Sequence, residues 1–181
     1  YSPALPFLKH YLATTETMVK LTISLYLLGL CVGQLFFGTV SDCFGRKVTS
    51  LFGGVGFVLA SVGLLFTRDP HVFLLARLLQ GFFLGAIAVN ARSLVTDHFT
   101  KQEISGISSY MSLAWSMGPI LAPFLGGVFQ TVLSWQWSFG FLIVYTVLIL
   151  VLMSRIEESL PQRKSFDGRT MLKNYKHVLS H

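Results

Sequence analysis

The sequence predicts an all-α protein, a polytopic bundle of membrane-spanning helices, and three observations carry that expectation. Hydrophobic residues fill 52% of the 181 positions and charged residues only 12%, with a mean hydropathy of +0.63. That balance excludes a soluble domain with one buried helix and leaves no room for a soluble catalytic domain. Leu21 to Val40 and Val48 to Thr67 are each runs of twenty residues without one Asp, Glu, Lys, Arg or His. At about 1.5 Å of rise per residue, each makes a helix of roughly 30 Å, the thickness of the hydrocarbon core. Between them a short link holds Asp42, Arg46 and Lys47, and charges in so brief a link must sit at a bilayer surface.

The elements follow in order. Tyr1 to Pro6 reads as the end of a first spanning helix, and with no initiating Met and no signal peptide the chain reads as a fragment in which helix 1 is largely missing. Phe7 to Lys20, with Lys9, His10, Glu16 and Lys20, is expected to be a polar link. Spans follow at about 21–40, 48–67, 72–95, 104–132 and 135–153, so that residues 1–153 form the bundle. Arg68-Asp69-Pro70-His71 makes the turn before helix 4, Pro70 restricting the residue ahead of it. Thr96 to Glu103 links helices 4 and 5, and Trp135 and Trp137 fall at interfacial depth as helix 6 begins. Cys31 and Cys43 are about 18 Å apart along a continuous helix, too far for a disulfide.

After Met153 the chain becomes a basic linker, residues 154–181, in which Met171, Leu172, Tyr175, Val178 and Leu179 recur at helical spacing with Arg169, Lys173 and Lys176 between them. This pattern suits an amphipathic helix on the inner leaflet, the alternative being a solvated linker. Arg46, Lys47, Lys101, Arg155 and the basic residues of the tail fall on one side of the membrane, and Lys9, Lys20 and Arg68 on the other. The positive-inside rule makes the first side cytoplasmic, so loop 41–47 and tail 154–181 are expected inside. Membrane orientation also accounts for the net charge of +6 better than nucleic-acid binding does.

Small residues recur every four positions, as Gly29 and Gly33, Gly56 and Ala60, Gly81 and Gly85, and Gly118, Ala122 and Gly126. Close backbone packing in lipid is sufficient reason for most of them. Helix 5 adds Pro119 and Pro123 within an apolar span, each removing one backbone hydrogen bond and permitting a bend that either gates or is merely structural. Arg77 in helix 4 costs roughly 2.5 to 3.5 kcal/mol within a bilayer. It either faces a polar cavity, with Gln80 and Gln34 in reach, or snorkels to the outer surface.

Gly38-x-x-x-Asp42-x-x-Gly45-Arg46-Lys47 resembles the loop between the second and third helices of major facilitator superfamily transporters, with Cys43 where an arginine is usual. Arg77-x-x-Gln80-Gly81 resembles that superfamily's helix 4 motif, and Gly118-Pro119 with Pro123 and Gly126-Gly127 its antiporter signature in helix 5. Together with Tyr1-Ser2-Pro3-Ala4-Leu5-Pro6, Gly33-Gln34-Leu35 and Ala91-Arg92, these segments are similar to the bicyclomycin and chloramphenicol resistance (Bcr/CflA-type) branch of drug:proton antiporters. The resemblance implies the N-terminal six-helix half of a twelve-helix fold in the inner membrane, monomeric at full length. It implies export of small drug-like molecules in exchange for protons by alternating access. Asp42, Arg46 and Asp97 would form a conformational charge cluster, and Arg77 would take part in proton transfer. No cofactor or metal is implied, and Phe36, Phe82, Phe83 and Trp115 are available to a substrate cavity without being distinguished from packing residues.

An importer or metabolite permease of the same fold shares the loop and Arg77 motifs, and a receptor or scaffold on this fold is a third class. An intramembrane enzyme would need a catalytic set at membrane depth. The five histidines, His10, His71, His98, His177 and His181, all fall outside the spans or at their ends, with no Ser/His or metal-ligand pattern.

Overall fold

The computed structural model describes residues 5–132 and 134–155. The amphipathic helix expected in the linker and the Tyr1 to Ala4 portion of the first helix lie outside them. The order is α1 (Leu5–Tyr11), α2 (Glu16–Phe44), α3 (Arg46–Phe66), α4 (Pro70–His98), α5 (Lys101–Val132) and α6 (Trp135–Ser154). α2 to α6 are each long and apolar enough to cross a membrane.

The expected polar link from Phe7 to Lys20 is instead largely helical and partly buried. Leu8, Leu12 and Val19 are spaced to share one side, and they bury against Leu64, Phe73 and Phe139 at one end of the bundle. Lys9, Glu16 and Lys20 stay exposed. α1 stops where Ala13 turns to a φ of 46° and the Thr14 N–H donates to the Lys9 carbonyl, a closure that satisfies a last-turn acceptor. The Thr15 hydroxyl then accepts from the Met18 N–H at 3.3 Å to start α2.

Asp42 and Cys43, expected in the turn, belong to the last turn of α2, and Gly45 alone joins α2 to α3. Its φ of 107° lies in the region that favours glycine. Asp69 caps α4 through its carboxylate, accepting from the His71 N–H at 2.7 Å, and Pro70 fills the first helical position, where a missing N–H costs nothing. At the head of α5 the Glu103 carboxylate accepts from both the N–H and the hydroxyl of Thr100.

α4 is the central element, with α2 on one side and α3 on the other, and α3 also packs on α6. The α2–α4 seam is made by glycines: a Cβ on Gly29 or Gly33 would meet the carbonyl of Leu78 or Phe82, and one on Gly81 would meet that of Tyr26. Across α3–α4, Gly53 and Gly56 seat against Ala86 and the Phe83 ring. α5 runs continuously through Pro119 and Pro123 and touches the bundle sparsely, leaving Ile120 and Phe124 exposed.

Candidate functional site

Two polar centres involve α4, one toward each end. Arg77 occupies the first and is only 5% exposed, so the snorkelling alternative is not the arrangement found. Its Nη1 donates to Gln80 Oε1 at 2.8 Å. Gln80 Nε2 donates to the Ser61 hydroxyl on α3 at 2.8 Å, which donates in turn to the Phe57 carbonyl at 2.7 Å. The guanidinium carbon lies 4.6 Å from the Phe139 ring centroid, 5.7 Å from Phe73 and 5.9 Å from Tyr26. Hydrogen bonding to an amide and contact with three ring faces replace part of the lost hydration, which is how a cation is held at this depth.

Gln34 does not join Arg77. α2 and α4 run side by side with Gly33 against Gly85, eight residues beyond Arg77 and therefore about 12 Å further along the axis. Gln34 instead lines a cavity of about 240 Å³ with Ala88, Arg92, Ser93 and Trp115. A second cavity of about 590 Å³ opens between α4 and α5, again lined by Arg92 and Trp115.

The second centre is built on Arg46. Its Nη1 is 2.8 Å from Asp42 Oδ1 and its Nε 3.3 Å from Asp97 Oδ2, so the three residues expected to cluster do meet. Arg46 Nη1 also donates to the Ser41 hydroxyl at 3.0 Å. Gly45 makes this possible by bringing the start of α3 back toward the end of α2. Lys47 Nζ donates to the Ser154 carbonyl at 2.8 Å, tying the same turn to the end of α6. Gly38 faces the Val89 side chain without crowding.

Sequence reasoning missed the fully buried Asn90. Its Nδ2 donates to the Ser50 hydroxyl at 3.0 Å and to the Arg46 carbonyl at 3.3 Å, and the Ser50 hydroxyl donates to the same carbonyl at 2.8 Å. Gln80 with Ser61 and Asn90 with Ser50 are thus two copies of one amide-to-serine clamp between α4 and α3. The signal was legible: an amide pair ten apart on one apolar helix and a serine pair eleven apart on the antiparallel one, close to three turns each. The helix 5 motif is not brought to either centre. Pro119 and Pro123 are exposed, and a Cβ at Gly118 or Gly127 would meet no atom within 4 Å, whereas Gly126 is buried.

Among proteins of known name, a chloramphenicol resistance protein of Pseudomonas aeruginosa is 37% identical over 143 residues, covering 78% of this chain and 34% of that protein. Multidrug resistance protein D of Escherichia coli is 31% identical over 178 residues, covering 97% of this chain and 44% of that protein. The chain therefore spans less than half the length of either relative. Among solved structures, the human organic anion transporter MFSD10 (TETRAN) shares the fold, with a TM-score of 0.69 at 18% identity over 94% of this chain and 42% of that one. The arginine-centred loop, the buried helix 4 arginine and the helical bundle fall within one family model, the Major Facilitator Superfamily, which matches residues 1–181, and the chain belongs to that superfamily.

Proposed function

We propose that this chain forms part of a secondary active transporter of the inner membrane that exports small drug-like molecules in exchange for protons by alternating access. The observation that carries the reading is Arg77, a cation kept at membrane depth by Gln80 and three aromatic rings at a cost that packing alone would not require. The names of the chloramphenicol and multidrug resistance relatives favour export over import. Inverted membrane vesicles carrying the full-length protein test it directly. An imposed pH gradient is expected to drive chloramphenicol into the vesicles, and a protonophore to stop it. Flux indifferent to the protonophore, or none, overturns proton-coupled export.

In this mechanism the Asp42–Arg46–Asp97 cluster biases one conformation. With Asp42 and Asp97 side chains 35% and 24% exposed, each pair alone contributes about 0–1 kcal/mol to stability. Its leverage lies in being made in one state and broken in the other. Asp42→Asn is expected to shift the resting population toward inward-facing by up to about fivefold, the equilibrium factor that about 1 kcal/mol supports, and to slow transport. Spin-label distances between the outer helix ends, in wild type and variant, measure the shift; identical distributions with normal transport reduce the cluster to an orientation signal.

Sidedness follows from the same turn. In intact cells expressing a Cys31→Ser background, Cys43 is expected to resist a membrane-impermeant thiol reagent and to label once the inner face is opened. Ready labelling from outside inverts the topology.

A further inference from the structure

Arg92 lies fifteen residues beyond Arg77 on α4 and has no role in either centre. Its guanidinium carbon sits 5.8 Å from the Trp115 ring centroid on α5, and among the described residues no carboxylate forms an ion pair with it. Asp97, the acidic residue nearest in sequence, is taken by Arg46. Arg92 and Trp115 form a shared wall of both cavities between α4 and its neighbours. The larger, about 590 Å³, also presents Met111, Ser112 and Ser116. The two serine hydroxyls donate to the carbonyls of Ser108 and Ser112, so the donors for an acceptor-only ligand come from Arg92.

We infer that this cavity binds an aromatic oxyanion, the carboxylate or equivalent group on Arg92 and the ring against Trp115. The inference rests on the transport reading and names the substrate class that its cavity prefers. The physical reason is occlusion. A wetted cavity tolerates an uncompensated guanidinium, but when the site closes and water leaves, the charge sits in a lower dielectric and needs an anion beside it. Arginine presents a planar fork that matches a carboxylate with two parallel hydrogen bonds. Its guanidinium lies within cation–π range of Trp115, and the exposed indole offers its other face for a ring to stack on. A neutral aromatic of the same shape would gain the stacking and leave the cation alone.

The test compares 2-naphthoate with its neutral isostere 2-naphthamide, both tritiated, binding to the full-length protein in nanodiscs at a pH where the acid is ionised. Wild type is expected to prefer naphthoate by about tenfold or more, the scale of one charge-assisted bidentate contact. Arg92→Gln should abolish that preference while naphthamide binding stays within about twofold, Arg92→Lys should keep part of it, and Trp115→Leu should weaken both ligands together. Equal affinities in wild type, or a preference that survives Arg92→Gln, overturns the anion site. Chloramphenicol flux driven by a pH gradient is recorded on the same preparations. Flux without naphthoate preference overturns the anion site and leaves export standing; a preference lost in Arg92→Gln, with no flux in wild type, upholds the site and overturns export.

Discussion

Arg77→Ala is expected to bring proton-driven transport to background while the protein still inserts and folds. The two halves of that result come from opposing terms of known size. Removing the guanidinium strands Gln80 Oε1, which accepts its Nη1 hydrogen at 2.8 Å, and an unsatisfied buried acceptor costs about 1–3 kcal/mol. It also removes a membrane-buried charge worth roughly 2.5–3.5 kcal/mol of insertion penalty. The terms offset, so abundance in the membrane should change little. Transport has no such compensation, because Arg77 is the one cation among the described residues that stands between Phe139, Phe73 and Tyr26. Arg77→Lys should recover only part of the activity: an ammonium can contact the rings or Gln80, but lacks the planar fork that engages both at once. Vesicle flux normalised to inserted protein is the measurement. Full activity in Arg77→Ala would make the residue a structural occupant of its aromatic cage and remove it from proton coupling.

The spans, Arg77 with Gln80 three residues on, and the Asp42–Arg46 pair were legible because their signals are local, whereas Asp97, 51 residues from Arg46, was joined to that pair only through the family resemblance. An uncharged run of twenty residues has few uses other than crossing a bilayer, and Arg46 has Asp42 four residues before it. What stayed hidden depended on register between helices. Gln34 was paired with Arg77 because both are polar residues in apolar spans; the axial offset set by Gly33 against Gly85 separates them. Asn90 carries no charge, and its ten-residue spacing from Gln80 takes meaning only beside the matching Ser50–Ser61 spacing on α3. The stretch from Phe7 to Lys20 was misread for a related reason. Its charged residues are those of a polar link, while Leu8, Leu12 and Val19 are buried only because Leu64, Phe73 and Phe139 pack against them. The α3–α4 clamps also connect the two centres physically: Gln80 joins Arg77 to Ser61, and Asn90 joins the Arg46 peptide to Ser50. With anchors about 15 Å apart along α4, α3 and α4 should move as one body, carrying both arginines.

Gly33→Val is expected to be among the most destabilising single changes in the described residues. A side chain there runs into the Phe82 carbonyl oxygen, carbon and Cα, all backbone, so no rotamer change on α4 can make room. α2 and α4 must separate, and in lipid that separation is not softened by a hydrophobic effect, since tails replace side chains at no gain and packing is what holds the helices together. Overpacking a well-fitted core typically costs about 1–3 kcal/mol; with backbone as the obstacle, the upper end of that range or beyond is expected. The damage should spread along the seam, where Gly29, Gly81 and Gly85 make equally close contacts and Phe36, Phe37 and Phe82 pack ring on ring. Tyr26 lies on the same seam against Gly81 and reaches Arg77, so transport should fail with stability, unlike the selective loss in Arg77→Ala. Gly63→Ala on α3 is the control: a Cβ there meets nothing within 4 Å, and alanine in a helix is favoured by up to about 1 kcal/mol. Thermal unfolding of the detergent-purified full-length protein, followed by size-exclusion profile, separates the cases. Gly63→Ala should match or exceed wild type and Gly33→Val should fall well below both; a Gly33→Val protein as stable as the control would mean that α2 and α4 do not approach through their glycines.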